Sequence, residues 1–475
     1  MSDIHPSSGP TGSLPAGTAL ARVDAGLDQS LERLFALLRI PSISTQPAHA
    51  ADCRRTAEWL RDELAGIGLD ASVRETPGHP IVVAHDLGAA DRPHVLFYGH
   101  YDVQPVDPLA LWDRPPFEPA IVDGPEGPRI VARGASDDKG QVMTFIEALR
   151  ALREADGRLP LRVSVLIEGE EECGGPNLRP FLEANAAELG CDVALICDTS
   201  MVGRDTPAIT ASLRGLVGEE IVIQAADRDL HSGMFGNAAR NPIAVLADIL
   251  SSLRTADGGV SLPGFYDGVT VPPDGVRARW REIAGGDEAL LGPVGLAEAA
   301  GERGFSAVEQ TWCRPSCEIN GISGGYEGDG FKTVLPAKAM AKVSFRLVAG
   351  QDPVRVRASF REHVRARIPA DCRVEFHEHG GSAASAVPTD SPMLHAALGA
   401  LTAEWGVDAA VIGSGGSIPV VRELQETIGV DSLLVGFARD DDRIHSPNEK
   451  YDLDSFHRGT RSWVRILHAL ATAGA

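Results

Sequence analysis

The amino-acid sequence predicts an α/β protein, in which a doubly wound domain with a mixed, mostly parallel sheet carries an inserted α+β domain. Three observations support this fold class. Apolar, β-branched segments alternate with helical patterns as far as residue 211, and the same alternation returns after residue 390. Between these regions, residues 216–225 and 339–348 alternate between apolar and polar side chains, as half-exposed antiparallel strands do.

The length of 475 residues also favours two domains, because one ordinary core does not extend over so long a chain. We expect residues 1–22 to form a flexible tail, since their first part is rich in proline, serine and glycine. Residues 23–211 and 391–475 should form the two parts of the main domain, and residues 212–390 the inserted domain. The sequence contains no internal repeat of solenoid period.

The individual elements follow from local periodicity. Apolar residues at helical spacing predict a first helix that ends before Pro41, because the residue before a proline disfavours helical geometry. Further helices are expected around residues 56–65, 141–153, 242–254, 354–367 and 456–471. Further strands are expected at residues 71–74, 81–85, 94–98, 129–132, 161–167, 191–197 and 432–437.

Composition excludes several classes of function. The formal charge of −22, from 44 basic and 66 acidic residues, argues against a nucleic acid partner. No apolar run approaches the roughly 18 residues of a membrane span, and the first residues do not resemble a signal peptide. Seven scattered cysteines suit a reducing, cytoplasmic compartment. Cys313 and Cys317, four residues apart, are either a metal-binding pair or, as we expect, ordinary thiols.

The most informative segment is residues 161–175, in which an apolar strand ends in Glu168, Glu170, Glu171 and Glu172. Carboxylates crowded at the end of a buried strand repel one another and lose hydration, so a positive partner should compensate them. The alternative is a solvated acidic loop. Adjacent residues of an extended chain point in opposite directions. Glu171 and Glu172 could therefore divide two roles, one binding a metal and the other facing a substrate.

Metal-ligand residues also follow other predicted strands and one late loop. The complete set is His100 with Asp102, Asp137, Glu171 with Glu172, Asp198 and His445. By itself, His445 would be interpreted as a surface residue, but the set favours metal binding. Oxygen and imidazole ligands without thiolates suit Zn²⁺, Mn²⁺ or Co²⁺. Asp137, in a glycine-flanked turn, is the predicted bridge between two metals.

This set of side chains indicates amide hydrolysis. Two metals lower the pKa of a shared water, and one of them polarises the carbonyl under attack. Glu171, which is not needed as a ligand, can take the proton of the water and return it to the leaving amine. Asp102 lies two residues from His100 on the same face of a strand, where it can accept the second imidazole N–H and orient the ring.

Eight segments also match a known pattern. They are Tyr98–Val103, Gly134–Gly140, Glu168–Glu172, Asp198, Asp229–Gly233, Lys332–Pro336, Gly415–Pro419 and His445–Glu449. In these segments the sequence resembles the dizinc amidohydrolase and peptidase family that includes carnosinase, cytosolic non-specific dipeptidase, aminoacylase and acetylornithine deacetylase. The segments at 229–233 and 415–419 resemble the dipeptidase branch more closely than the deacylase branch.

The resemblance implies two divalent metal ions per subunit, with zinc favoured and manganese or cobalt as alternatives. The implied ligands are His100, Asp137 and Asp198 for one metal, and Asp137, Glu172 and His445 for the other. Glu171 corresponds to the catalytic base and Asp102 to the supporting acid. The peptide between Asp137 and Asp138 is expected to be cis, as in similar family members.

The resemblance also implies that the inserted domain is a lid and dimerisation surface in a homodimer. His231 corresponds to a catalytic residue that reaches into the neighbouring subunit's site and stabilises the oxyanion. Thr333 and Arg346 correspond to residues that hold the substrate carboxylate, and Ser417 and His445 to further substrate contacts. From the strand pattern alone, Arg346 would be an ordinary solvated residue.

Two departures from the family pattern concern the site. Gly413 and Ser414 stand where dipeptidases often carry a charged pair, so the pocket on the C-terminal side of the substrate should differ. Cys173 follows the glutamates where a small, unreactive residue is common, which could add sensitivity to oxidation.

We therefore predict a cytoplasmic, homodimeric dizinc dipeptidase that acts on dipeptides or similar short peptides. One alternative is a hydrolase of N-acyl or N-carbamoyl amino acids with the same mechanism. A second is a metal-dependent binding protein with an inactive site, although the intact Glu171 argues against it. A phosphatase or nuclease is disfavoured, since the sequence has no basic, glycine-rich phosphate cradle.

Overall fold

The computed structural model describes residues 16–416 and 418–473, which form two compact units. The first unit consists of the described residues up to Ile209, Thr389–Val411 and the described part of Glu423–Ala475. The second consists of Thr210–Pro388 and the described part of Ile412–Arg422. The described residues of 412–422 belong to the second unit, whereas the sequence predicts them in the main domain. One reason is visible in the backbone, where the amide of Arg214 donates to the carbonyl of Gly416 at 3.0 Å.

The first part of the chain forms most of the first unit. Its elements are α1 (Gly17–Ala25), α2 (Leu27–Leu38), α3 (Ala50–Gly66), β1 (Asp70–Arg74), β2 (Ile81–Asp86), β3 (His94–His100), β4 (Ala120–Gly124), β5 (Gly127–Val131), α4 (Lys139–Asp156), β6 (Arg162–Glu168), α5 (Leu178–Leu189) and β7 (Val193–Ile196). Strand β8 (Ala208–Leu213) begins in the first unit, and its residues from Thr210 onward belong to the second. Residues 17–22, predicted as part of a flexible tail, are helical instead, because Ala19, Leu20 and Val23 pack into the core. Residues 1–15 of that tail lie outside the described residues.

The middle of the chain forms the second unit. Its elements are β9 (Gly215–Gln224), β10 (Leu230–His231), α6 (Ser232–Phe235), α7 (Pro242–Ser251), α8 (Asp274–Ile283), α9 (Asp287–Leu291), α10 (Ala307–Trp312), β11 (Ser316–Gly324), β12 (Val334–Leu335), β13 (Lys338–Leu347), α11 (Pro353–Arg365), β14 (Arg373–Ser382) and β15 (Ser385–Ala386). Strands β11, β13, β9 and β14 form an antiparallel sheet in that order. Only one face of this sheet packs into a hydrophobic core, which explains why apolar and polar residues alternate along β9 and β13.

The last part of the chain contains α12 (Pro392–Trp405), β16 (Ala410–Ser414), α13 (Pro419–Thr427), β17 (Ser432–Leu434), β18 (Lys450–Asp452) and α14 (Leu453–Ala473). Strands β18, β5 and β4 form a small antiparallel sheet of the first unit. None of the described helices is both long enough and apolar enough to span a membrane.

The main sheet of the first unit contains β1, β2, β6, β3, β7 and β17 in that order. The pairings of β3 with β6, β3 with β7 and β7 with β17 are parallel, whereas β1 with β2 and β2 with β6 are antiparallel. The predicted α/β fold with a mixed, mostly parallel sheet is therefore confirmed. Ligand sites in such sheets lie at the carboxyl ends of the parallel strands.

Aromatic packing holds helices of the first unit against this sheet. The ring of Phe97 on β3 stacks on Phe145 of α4 with centroids 3.8 Å apart, and Trp463 of α14 meets Phe145 edge-on at 5.3 Å. The buried indole N–H of Trp463 donates to Thr144 Oγ1 at 3.1 Å, so its polar atom is satisfied. Strand β3, which carries His100 at its end, is therefore fixed by a rigid core.

Candidate metal centre

Strand ends and the turns next to them supply the polar side chains of the site. His100 is the last residue of β3, and Asp198 follows the end of β7 by two residues. Glu171 and Glu172 lie in a 3₁₀ turn just after β6, and Asp137 lies in the turn that precedes α4. Because β3, β6 and β7 are parallel neighbours, their carboxyl ends converge at one edge of the sheet.

Two groups of ligand atoms meet at Asp137. In the first, His100 Nε2 lies 3.1 Å from Asp137 Oδ1 and 4.0 Å from Asp198 Oδ2. In the second, His445 Nε2 lies 2.9 Å from Asp137 Oδ2 and 3.2 Å from Glu172 Oε2. Within each group the ligand atoms lie within 4.8 Å of one another. The two oxygens of Asp137 thus face different groups, as a bridging carboxylate requires.

The donor set fits two divalent transition metals. Each group offers one imidazole nitrogen and two carboxylates, a combination that suits zinc, manganese or cobalt. Among the described residues, no candidate ligand group contains a cysteine, and Cys313 and Cys317 are free thiols. The five residues predicted as ligands are those that the structure brings together.

The pKa values of these groups show how much negative charge the site concentrates. Burial raises the pKa of Asp198 well above its usual value, and the nearby Asp137 and Asp138 raise it further. For Asp137, burial favours a higher pKa, but hydrogen bonds with His100 and His445 outweigh it and lower the pKa. Hydrogen bonds to Asp137 and Glu172 raise the pKa of His445 to about 10. The imidazoles of His100 and His445 therefore compensate part of the negative charge of these acids, a compensation that divalent ions would also supply.

Asp102 contacts both the imidazole of His100 and the turn that carries Glu171 and Glu172. Its carboxylate is fully buried, and Oδ1 lies 3.4 Å from His100 Nδ1, while its backbone carbonyl lies 3.1 Å from the same nitrogen. Its two oxygens also accept hydrogen bonds from the backbone amides of Glu171 (3.3 Å) and Glu172 (3.0 Å). Asp102 therefore orients the imidazole and fixes the turn that carries both glutamates.

Glu171 belongs to neither group of ligand atoms. Burial raises its pKa above the usual glutamate value, with Glu172 and Asp137 among the carboxylates that raise it further. A carboxylate that is held beside a metal centre without binding it, and that has a raised pKa, has the properties of a general base.

Two supporting residues had not been assigned a role from the sequence. Gln104 Nε2 donates to Glu172 Oε2 at 2.7 Å. Glu449 is buried and accepts from the backbone amides of Gly134 (2.9 Å), Ser136 (2.9 Å) and Asp137 (3.0 Å). Glu449 was part of a family motif, but its partners lie more than 300 positions away in the sequence, so local pattern carried no signal for the contact.

The peptide bond between Asp137 and Asp138 is cis, which confirms the expectation from the family motif. Asp138 Oδ2 accepts a hydrogen bond from the backbone amide of His100 at 3.2 Å. The turn that carries the bridging carboxylate is therefore tied directly to the end of β3.

A third acidic group consists of Asp441, Asp442 and Asp452. The ammonium of Lys450 lies 2.7 Å from Asp441 Oδ1, 2.8 Å from Asp442 Oδ1 and 2.8 Å from Asp452 Oδ2. A lysine thus occupies the position that a cation would take, and we do not assign a metal to this group.

Three of the remaining predicted residues, His231, Thr333 and Arg346, belong to the second unit. His231 pairs with Val334 between β10 and β12, and its exposed ring accepts from the amide of Gly233 through Nδ1 at 3.0 Å, which leaves Nε2 for another partner. Thr333 is exposed beside this pair, and Arg346 lies on β13. Ser417 lies outside the described residues. The roles predicted for these four residues stay predictions.

A model of the Peptidase family M20/M25/M40 matches residues 96–469. The chain belongs to this family. It is 28% identical to the Cys-Gly metallodipeptidase DUG1 of Saccharomyces cerevisiae over 466 residues, which cover 94% of this chain and 96% of that relative. It is also 28% identical to the Beta-Ala-His dipeptidase of Homo sapiens over 467 residues, with coverage of 94% and 91%.

The M20 fold is also seen in solved structures. The structure of human carnosine dipeptidase 1 matches with a TM-score of 0.77 and 26% identity, over 96% of this chain and 98% of that chain. The resemblance to the dipeptidase branch, inferred from the motifs, is therefore confirmed, as is the prediction of a hydrolytic enzyme.

Proposed function

We propose that this M20 protein hydrolyses the peptide bond of dipeptides at a dinuclear metal centre. The observation that carries the proposal is Asp137, whose two oxygens face two separate groups of ligand atoms. The relatives named above are dipeptidases, which supports the same substrate class here. His100, Asp137 and Asp198 would hold one ion, and Asp137, Glu172 and His445 the other.

When bound, two divalent ions would make a water acidic and polarise the scissile carbonyl. We favour zinc, with manganese or cobalt as alternatives that suit the same donors. Glu171 accepts the proton of the attacking water and delivers it to the leaving amine. Asp102 keeps the His100 ring and the glutamate turn in place during both transfers.

The second unit is proposed to act as lid and dimerisation surface. Arg346, Thr333 and Ser417 would hold the substrate carboxylate and neighbouring groups. In a homodimer, the free Nε2 of His231 would donate a hydrogen bond to the oxyanion that the substrate forms in the neighbouring subunit's site. The accepting contact already made by Nδ1 favours a proton on Nε2, which suits that role.

We also propose a cytoplasmic location. All seven cysteines are free thiols, including Cys173 beside the catalytic glutamates, and such thiols persist in a reducing compartment.

A substrate panel tests the proposed function. The zinc- or manganese-loaded protein is assayed with dipeptides, N-acetyl amino acids and N-carbamoyl amino acids, with Glu171→Gln as the inactive control. We expect the dipeptides to give the highest kcat/KM. Higher values for an N-acetyl or N-carbamoyl series would replace the proposal with an amino acid deacylase or carbamoylase. Absence of any hydrolysis in the loaded protein would indicate a binding protein instead.

A further inference from the structure

The second unit presents two neighbouring arginines on one face of its sheet. Arg346 on β13 pairs directly with Leu216 on β9, so their side chains share a face. Arg214 precedes Leu216 by two residues, and the alternating burial of β9 extends back through it, which places its side chain on that face too. Phe345 and Val217, on the opposite face, are fully buried.

Arg214 is held against a glycine turn. Its backbone amide donates to the carbonyl of Gly416 at 3.0 Å, and its Nε donates to the carbonyl of Gly415 at 3.1 Å. A Cβ at Gly415 would lie 3.0 Å from Arg214 Nη2, so a glycine there lets the turn approach the guanidinium closely. The backbone contacts fix the orientation of the guanidinium plane through Nε and leave the Nη groups for another partner.

Neither arginine forms an ion pair with a carboxylate in residues 16–416 and 418–473. The nearby acid, Glu318 on β11, is already bound to Arg254 at 3.0 Å. Burial, together with repulsion from Arg346, lowers the pKa of Arg214 to about 10. Two adjacent, half-buried cations with no carboxylate partner among the described residues are unexpected in a chain with a net charge of −22, because acidic side chains are in excess.

We propose that Arg214 and Arg346 together form a binding site for two carboxylates of one substrate residue. The inference rests on the proposed function, in which Arg346 holds the terminal carboxylate. The second guanidinium then selects dipeptides whose C-terminal residue is aspartate or glutamate. Guanidinium groups bind carboxylates through two parallel hydrogen bonds, so each arginine matches one carboxylate of such a residue.

A matched pair of substrates tests this selectivity, since alanyl-glutamate and alanyl-glutamine differ only in the side-chain carboxylate. For the wild-type protein we expect a kcat/KM about 10- to 100-fold higher for alanyl-glutamate, the range for one hydrogen bond to a charged group. Arg214→Gln should bring this ratio close to one, and Arg214→Lys should keep part of it. Arg254→Gln, which removes a nearby arginine that is already paired, is the control and should keep the wild-type ratio.

Glutarate, a dianion of similar length, gives a second measurement that does not depend on turnover. Titration calorimetry should show that Arg214→Gln weakens glutarate binding by at least about tenfold, whereas Arg254→Gln leaves it unchanged. A wild-type ratio near one, or an unchanged ratio in Arg214→Gln, would overturn the inference. If neither dipeptide is cleaved, the proposed function fails, and glutarate binding alone then tests the anion site. Loss of glutarate binding in Arg214→Gln would support the anion site, and unchanged binding would overturn it.

Discussion

Replacing Glu449 by glutamine should loosen the turn that carries the bridging carboxylate. In the native chain, Glu449 Oε1 accepts from the amides of Ser136 and Asp137 at 2.9 and 3.0 Å. Its Oε2 accepts from the amide of Gly134 at 2.9 Å and from Arg133 Nη1 at 2.8 Å. A glutamine has one oxygen for these four donors, and its NH₂ group would face two of them.

The magnitude follows from those contacts. If the glutamine oxygen keeps the hydrogen bonds from the amides of Ser136 and Asp137, the variant loses a buried charged hydrogen bond to Arg133, worth about 1.5–3 kcal/mol. It also leaves the buried amide of Gly134 without an acceptor, at about 1–3 kcal/mol. We therefore expect the free energy of unfolding to fall by about 3–5 kcal/mol, which is also the range for breaking a buried ion pair.

Urea denaturation of the metal-free protein, followed by circular dichroism, measures this change without a contribution from metal binding. The control is Glu75→Gln, which removes an exposed partner of Arg54 and should leave the unfolding midpoint close to that of the wild type. A Glu449→Gln protein as stable as this control would refute the role assigned to Glu449.

Two further predictions concern the metal ligands and the subunits. Gln104→Leu removes the 2.7 Å hydrogen bond to Glu172 and should weaken binding of the second metal about 10- to 100-fold, as measured by competition with a chelator. The control variant Gln425→Leu, on α13, should leave this metal affinity unchanged. Mixing Glu171→Gln with His231→Ala homodimers should restore close to half of normal activity per heterodimer if His231 acts in trans, because one site then has both groups intact. Since the loss of one such donor typically lowers the rate about 10²–10³-fold, the recovery is measurable. Mass spectrometry of tagged dimers must show exchange, and exchange without recovered activity would exclude the shared site.

Much of the first unit could be predicted because its strands are locally distinctive. The apolar segments that became β3, β6 and β7 are buried almost throughout, and each leads directly into a ligand residue or acidic turn. Helix α2 ends at Leu38, as the approach to Pro41 predicted. The ligand set was predictable for the same reason, since parallel strands bring their carboxyl ends together whatever their separation in sequence.

Other features had no local signal. Helix α1 was missed because its few apolar residues directly follow a segment rich in proline, serine and glycine. Strand β14 is mostly polar and exposed, with histidines and glycines, so it lacks a β-type pattern. The hydrogen bonds of Glu449 to the turn of Asp137 depend on the pairing of β18 with β5, which places the end of the chain beside its first third.

The most direct test of the account is the metal content and turnover of Glu171→Gln. Because Glu171 belongs to neither group of ligand atoms, we expect the purified variant to hold two metal ions per chain, the number also expected for the wild type. Its hydrolysis of dipeptides should be lower by at least about 10²–10⁴-fold, since proton transfer both from the water and to the leaving amine is lost. Two bound metals with almost no turnover would support a dinuclear centre bridged by Asp137, with Glu171 as a base that is not a ligand. Near-normal turnover, or loss of a metal, would contradict it.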